Sequence, residues 1–424
     1  MERSNSNMST LGGMRPSRRV LTAVAVLAGT VLAGCAENAP QDLFEPAGPN
    51  ARKIDEGLGG QRFIFIISGI VAAIVIGAVS YIVVKFKDRG QDIPEQTHGN
   101  PKLEIALTIL PAIILATIAV PTVVKVFELN ESDDAACVVN VTGQQWWWEY
   151  DYPAQTCGGI TIKDPIITSG EMVIPAGVPV QLRITSRDVI HSFWIPALNG
   201  KRDAVPGRLH PLRMEADNPG IYVGQCTEFC GLSHARMRQA VVALDAADFQ
   251  TWVDNQLEPY TSPEAGTLAA EGESQYISQC SRCHQVNGLT DSEGNPVLSN
   301  PDENVYSGSA PNLTNLMTRT GFAGFTWDLI TEECRNELWN APSEEFGDMY
   351  LAGVWMNTPE GADRPVCFNE VELREWLRNA PGMKPMYANP AQLEKTGGLY
   401  RGMPNLGLNE QQIDQLIAYL LVRK

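Results

Sequence analysis

Two uncharged apolar runs, residues 63–84 and 105–124, constrain what this chain can fold into more than any other feature. Hydrocarbon offers no hydrogen bonds, so a lone segment crossing it must satisfy its backbone internally, as a helix. Each run has about the 20 residues that a crossing needs. Pro111 and Pro121 in the second run are tolerable where packed neighbours re-satisfy the freed carbonyls. Lys85, Lys87, Arg89 and Lys102 flank the short connection, and such positive charge marks the cytoplasmic side. Residues 61–128 are therefore expected to form a transmembrane helix hairpin whose two ends point out of the cytoplasm.

The N-terminus agrees with that orientation. Arg15, Arg18 and Arg19 precede an apolar run, residues 20–32, that is too short to span a bilayer. The run ends in Leu32-Ala33-Gly34-Cys35, which resembles a lipoprotein signal, cleaved before a Cys that then takes the lipid. Residues 1–34 are expected to be such a signal peptide. Residues 35–60, rich in Pro, Gly, Asn and charge, are expected to be an exported tether. An ordinary signal peptide with a fortuitous Cys is the alternative.

Charge excludes one class of partner. From Glu128 onward there are 20 Lys and Arg against 39 Asp and Glu, a balance of about −19. Nucleic-acid binding needs basic patches, so no nucleic-acid partner is expected. An acidic surface suits a basic protein partner, and equally suits simple solubility.

Residues 136–257 alternate β-branched and polar positions between Gly and Pro breaks, as in Cys137-Val-Val-Asn-Val-Thr and Val178-Pro-Val-Gln-Leu-Arg-Ile-Thr. Short strands with regular turn signals suggest a β-sandwich or barrel. Residues 249–257 resemble a short closing helix. Residues 258–272 read as a linker, and residues 273–424 as a further domain.

The chemistry is concentrated in Cys226-Thr-Glu228-Phe-Cys230-Gly-Leu-Ser-His234-Ala-Arg-Met237, with His191 upstream. Soft sulfur ligands combined with imidazoles favour copper. Two thiolates four residues apart can bridge two ions, so the inventory suits a dinuclear copper centre for electron transfer. A Cys226–Cys230 disulfide or a zinc site are the alternatives, but a disulfide leaves the His and Met spacing unexplained and zinc rarely recruits Met. Further on, Cys280-Ser-Arg-Cys283-His284 is a c-type haem attachment sequence. The opposite iron ligand is a Met or His, and no His follows His284. Met403, followed by Pro404 and an amphipathic C-terminal stretch, is preferred over Met383 and Met386. Nine cysteines then leave Cys137, Cys157, Cys334 and Cys367, two local pairs that an oxidising compartment would join.

These motifs together resemble subunit II of cytochrome c oxidase with a fused cytochrome c, as found in aa-type haem-copper oxidases. The resemblance implies a multidomain membrane protein: a two-helix transmembrane hairpin, an all-β cupredoxin domain at 136–257 and an all-α cytochrome c domain at 273–424. It implies a dinuclear CuA centre held by His191, Cys226, Cys230, His234, Met237 and the backbone carbonyl of Glu228. The Glu228 carboxylate would face a Mg or Mn ion at the subunit I interface, near the Asp203-to-Arg208 loop. Trp146, in Gly143-Gln-Gln-Trp146-Trp147-Trp148, would be where electrons reach the cupredoxin domain. On a strand, Trp146 and Trp148 would share one face. Glu104 would stand at the mouth of a proton channel in subunit I. Ala310-Pro311-Asn-Leu313 resembles the cytochrome segment whose Pro packs on the haem.

Function follows from the same resemblance. Electrons from an external donor, a cytochrome c or a cytochrome bc-type complex, would pass through haem c and CuA to haem a of subunit I, with subunit III as a further partner. The location would be a bacterial cell membrane, with both redox domains extracytoplasmic. The alternatives are the copper-bearing subunit of a nitric oxide reductase and a self-sufficient membrane-anchored electron carrier. The segment 326–387 exceeds what haem binding needs, and His98 and His210 have no evident role.

Overall fold

The computed structural model describes residues 41–87, 90, 98–129, 135–290, 310–388 and 401–422. The expected signal peptide and Cys35 lie outside the described residues.

The apolar runs form helices α2 (Gln61–Lys85) and α3 (Pro101–Leu129), of 25 and 29 residues. At about 1.5 Å per residue both exceed a hydrocarbon core of about 30 Å. No side chain of either is buried, and exposed Ile, Val and Leu cover both; in water such surfaces would be strongly unfavourable. Pro111 and Pro121 sit inside α3. Thr117 and Thr122 hydroxyls bond back to the Ile113 and Ile118 carbonyls at 2.9 Å each, within the turns around Pro121.

The expected tether is partly folded. Helix α1 (Pro49–Asp55) starts on a Pro, whose missing N–H costs nothing there. The Asn50 amide donates to the Arg213 carbonyl at 3.2 Å, and Asp217 N donates to the Ala47 carbonyl at 2.9 Å. Arg62 at the start of α2 pairs with Asp55 at 2.8 Å. Composition suggests loose chain here because the hydrogen-bond partners that order this segment, such as Arg213 and Ala197, are far away in sequence.

The β domain has twelve strands: β1 (Cys137–Gln144), β2 (Trp147–Tyr152), β3 (Gln155–Cys157), β4 (Ile160–Ile162), β5 (Ile166–Ser169), β6 (Glu171–Pro175), β7 (Val180–Ser186), β8 (His191–Phe193), β9 (Arg202–Ala204), β10 (His210–Met214), β11 (Gly220–Gln225) and β12 (Arg238–Leu244). One sheet runs β10-β7-β1-β2-β5 and another β11-β12-β6. Strand periodicity sends Val139, Val141, Val180, Leu182 and Ile184 into the core between them. The Cys137–Cys157 disulfide ties β1 to β3. Helix α4 (Ala246–Gln256), capped by Asp245, closes the domain with Phe249, Trp252 and Val253 buried, as the sequence suggested.

β6 and β12 are buried along nearly their whole length, because the C-terminal region covers their outer side. That region carries helices α5 (Leu268–Gln279), α6 (Glu332–Trp339), α7 (Ser343–Ala352), α8 (Glu370–Met383) and α9 (Glu410–Leu421). α5 begins at Leu268, so the linker expected at 258–272 is shorter. α5 and α9 cross at Gly272, where a Cβ would lie 1.9 Å from the Gln415 carbonyl oxygen; only glycine permits that approach. The Cys334–Cys367 disulfide ties α6 to the segment before α8.

A buried polar seam joins this region to the β domain. Glu171 Oε1 accepts from Thr320 N at 2.7 Å, Thr320 Oγ1 at 2.6 Å and Gly321 N at 2.9 Å, and Oε2 accepts from the Tyr350 hydroxyl at 2.8 Å. The Arg319 guanidinium donates to Ser169 Oγ at 3.0 Å and to the Asn312 and Thr314 carbonyls at 2.8 and 3.1 Å. Buried charges are tolerated only when their bonding capacity is met in this way. The segment 326–387, unexplained by sequence, belongs to this covering layer.

Candidate metal centre

The loop between β11 and β12 and the edge of β8 bring soft ligands together at one end of the sandwich. Cys226 and Cys230 Sγ lie 3.8 Å apart, with no disulfide between them. Cys226 Sγ is 4.0 Å from His191 Nδ1 and 3.3 Å from the Glu228 carbonyl oxygen. Cys230 Sγ is 3.6 Å from His234 Nδ1 and 3.8 Å from Met237 Sδ. His234 opens a single 3₁₀ turn, His234–Arg236, which aims it back at the sulfurs. All six positions expected from sequence thus converge. The set offers two thiols, two imidazoles, a thioether and a carbonyl, which is the chemistry a pair of soft metal ions needs.

Electrostatics favour deprotonation of one thiol. The Cys230 hydrogen bond lowers the Cys226 pKa to about 4 against the effect of burial, while Cys226 and burial push the Cys230 pKa up. The two sulfurs share a proton that a metal would displace.

The group that orients His191 lies outside the ligand motif. Its Nε2 lies 2.8 Å from Asp188 Oδ1. A carboxylate accepts, so Nε2 carries a hydrogen and Nδ1 is the ring atom turned toward Cys226, the one that would give its lone pair to a metal once deprotonated. Burial pushes His191 down, but the Asp188 and Cys226 hydrogen bonds outweigh it and its pKa is raised. Asp188 also accepts from Gln145 N at 2.8 Å. Gly143 leaves room for the ring, since a Cβ there would lie 2.9 Å from His191 Cδ2. Asp188→Ala is expected to weaken copper binding by about 10- to 100-fold, read by competition with a chelator; unchanged affinity would show that His191 needs no orienting partner.

Trp146 departs from the strand expectation. β2 begins at Trp147, Trp146 stands in the preceding turn, and all three tryptophans are buried. Its indole N–H donates to the Cys230 carbonyl at 3.0 Å, and the Gln145 amide donates to the same oxygen at 2.7 Å. Glu228 and Glu104 are exposed; the latter sits in the first turn of α3. Asp203 in β9 pairs with Ser192 in β8, and its carbonyl lies 2.7 Å from His210 Nδ1, which gives that histidine a partner.

Residues 137–244 match the family described as cytochrome C oxidase subunit II, periplasmic domain, and residues 37–124 match its transmembrane domain. A cytochrome c oxidase subunit 2 of Alkalihalophilus pseudofirmus is 33% identical over 292 residues, covering 66% of this chain and 81% of that protein. The chain belongs to the cytochrome c oxidase subunit II family. A cytochrome c oxidase subunit 2 of Bacillus sp. is 30% identical over 353 residues, 80% of this chain and 79% of that one. The solved periplasmic domain of subunit II from Bradyrhizobium japonicum is 31% identical, covering 30% of this chain and 96% of that chain, with a TM-score of 0.26. As a subunit II, the chain is the electron-transfer subunit of a haem-copper oxidoreductase and works with subunit I. A subunit II periplasmic domain implies a CuA copper centre, and the cluster of His191, Cys226 and Cys230 is a site for one. Two apolar helices with a periplasmic domain fit a membrane protein with an extracytoplasmic part.

In the C-terminal region, Cys280 follows α5 directly and Cys283 and His284 come next; neither thiol is in a disulfide. His284 Nδ1 lies 2.7 Å from the Pro311 carbonyl oxygen. A carbonyl only accepts, so Nδ1 carries the hydrogen and the Nε2 lone pair is left for a metal. Burial lowers the His284 pKa, which keeps the ring neutral. The Tyr276 hydroxyl, one turn before Cys280, is buried with no hydrogen-bond partner among the described residues. The Tyr387–Arg401 bridge sets the segments of Met386 and Met403 side by side, and Gly402 lies against the Met386 side chain.

Proposed function

We propose that this chain is the subunit II of a proton-pumping cytochrome c oxidase, taking electrons at its own C-terminal cytochrome c domain and delivering them through its cupredoxin domain to subunit I. The observation that carries this reading is the convergence of Cys226, Cys230, His191, His234, Met237 and the Glu228 carbonyl. Bound there, a copper pair supplies a site that takes up and releases one electron. Cys280 and Cys283 would attach a haem c, with His284 as one axial ligand and Met403 as the other. Support for the C-terminal part comes from the His284–Pro311 bond and from the Bacillus sp. alignment. At 353 residues, that alignment must run well past residue 244, where the periplasmic-domain match ends.

The chain's own residues prepare these sites. Asp188 fixes the His191 ring, Trp146 and Gln145 hold the Cys230 carbonyl, and Pro311 orients His284. Glu228 would turn its carboxylate toward a Mg or Mn ion at the subunit I interface, a hard cation that takes oxygen ligands. The external donor would be a cytochrome c or a cytochrome bc-type complex, with subunit III a further partner. The helices α2 and α3 would make the chain a multi-pass protein of a bacterial cell membrane.

Purification of the intact complex tests the whole reading: it should consume oxygen with a reduced one-electron donor, and this chain should carry two coppers and one covalent haem. Nitric oxide consumption in place of oxygen, or a chain without haem, would overturn it. Glu104 would serve proton uptake, since a carboxylate at the membrane edge can relay protons if it faces a hydrated groove. In Glu104→Gln, stopped-flow should find fast reduction of this chain's centres with a slowed oxygen-site step. Wild-type turnover would reduce Glu104 to an interfacial charge.

A further inference from the structure

The end of α8 and the residues after it run along the metal loop. The Arg236 guanidinium donates to the Met383 carbonyl and the Ser233 hydroxyl to the Pro385 carbonyl. Between these, the Lys384 ammonium donates to the Trp146 carbonyl at 2.9 Å, the Ala323 carbonyl at 2.7 Å and Thr326 Oγ1 at 3.4 Å. Lys384 is fully buried and faces three neutral oxygens, one from the β domain and two from the C-terminal region. Burying a lysine is costly unless its donors are matched, so the side chain holds the two regions in one arrangement. The Tyr387 ring centroid lies 5.4 Å from that of Trp146, at an interplanar angle of 42°. Trp146 in turn donates to Cys230, a sulfur-bearing member of the metal cluster. On the other side, Arg401 N donates to the Tyr387 carbonyl at 2.9 Å, two residues before Met403. Trp146 is only 2% exposed, so its indole is enclosed between Tyr387 and the metal loop.

We propose that Lys384 and Tyr387 are positioning residues that clamp Trp146 between the metal loop and the C-terminal region, and that the contact from Tyr387 through Trp146 to Cys230 is where an electron crosses between the two. This rests on the reading of the C-terminal region as a haem c donor and of the loop as a copper site. The crossing moves one electron and no atom: the haem-bearing region is oxidised by one electron, the copper pair is reduced by one, and no bond forms or breaks. A direct corollary is that an external protein cannot reach Trp146, because this chain's own residues already lie on it.

The test uses the full chain in detergent, as wild type, Tyr387→Ala, Tyr387→Phe and Lys384→Met. Hydroxyl-radical footprinting of Trp146, read by mass spectrometry, reports the clamp and requires neither cofactor. Equilibration of one photo-injected electron between the haem and copper absorption bands reports the crossing. Tyr387→Ala and Lys384→Met should expose Trp146 several-fold and slow equilibration by about tenfold, the order expected when a positioned contact is lost. Tyr387→Phe keeps the ring and should match wild type in both. Exposure of Trp146 in Tyr387→Ala with equilibration at the wild-type rate would overturn the route, and heavy labelling of Trp146 in wild type would overturn the clamp. If wild type loads no haem or no copper, the functional reading fails, and the footprint still decides the clamp.

Discussion

Cys226→Ser and Cys230→Ser are each expected to leave the chain without a copper pair. The two sulfurs stand 3.8 Å apart, with a histidine nitrogen at 4.0 Å from one and 3.6 Å from the other. In that arrangement each thiolate would serve both ions, and neither has a substitute among the described residues. A serine hydroxyl is hard and stays protonated, so it does not replace a soft bridging thiolate. The sandwich should survive, because its core of Val139, Val141, Leu182 and Ile184 is untouched. Metal analysis of the purified chain should fall from two coppers to one or none, and the electron spin resonance signal of a mixed-valence pair should vanish. Two coppers retained with an unchanged spectrum in either variant would remove the thiolates from the site.

Replacing both Cys280 and Cys283 by Ser is expected to abolish covalent haem, while Met403→Ala should retain it with altered iron ligation. The first expectation follows from the proposed attachment chemistry, in which each thiol would form one thioether bond and a hydroxyl forms none. The second follows from the His284 ring, which the Pro311 carbonyl holds with Nε2 available to iron. In Met403→Ala the sulfur-to-iron charge-transfer band should disappear and the reduction potential should fall, because a thioether ligand raises it. Haem staining of denatured protein separates attachment from ligation. The Tyr387–Arg401 bridge brings Met386 close to the same segment. A band that survives Met403→Ala but is lost in Met386→Ala would therefore transfer the role to Met386.

The metal loop was legible because its ligands are local. Five of the six positions lie within twelve residues, and their soft chemistry has few uses in an exported chain. The apolar helices were legible for a similar reason, since length and absence of charge alone identify them. Asp188 escaped notice because an acid three residues before a histidine is unremarkable until its carboxylate is seen 2.8 Å from Nε2. Lys384 and Tyr387 escaped for a stronger reason. A lysine in a Pro-rich stretch reads as solvated, and its partner Trp146 lies 238 positions away. The seam at Glu171 and Arg319 was invisible in the same way, because nothing in a strand sequence marks a glutamate as fully buried. The neighbours of Trp146 predict a strand, whereas the turn at Gln145 and Trp146 takes it out of register.

On the function proposed above, that seam also sets what kind of donor the C-terminal region would be. A carrier on a loose leash finds its target by diffusional search, and such encounters slow as salt screens the attraction between the surfaces. Here Glu171 and Arg319 are enclosed between the two regions, and enclosed charges are screened far less than exposed ones. Electron passage inside the chain should then keep its rate as ionic strength rises, while delivery from a basic protein to the acidic exterior should slow. The two steps can be told apart in one stopped-flow series across salt concentration, with the ionic sensitivity residing wholly in the bimolecular phase.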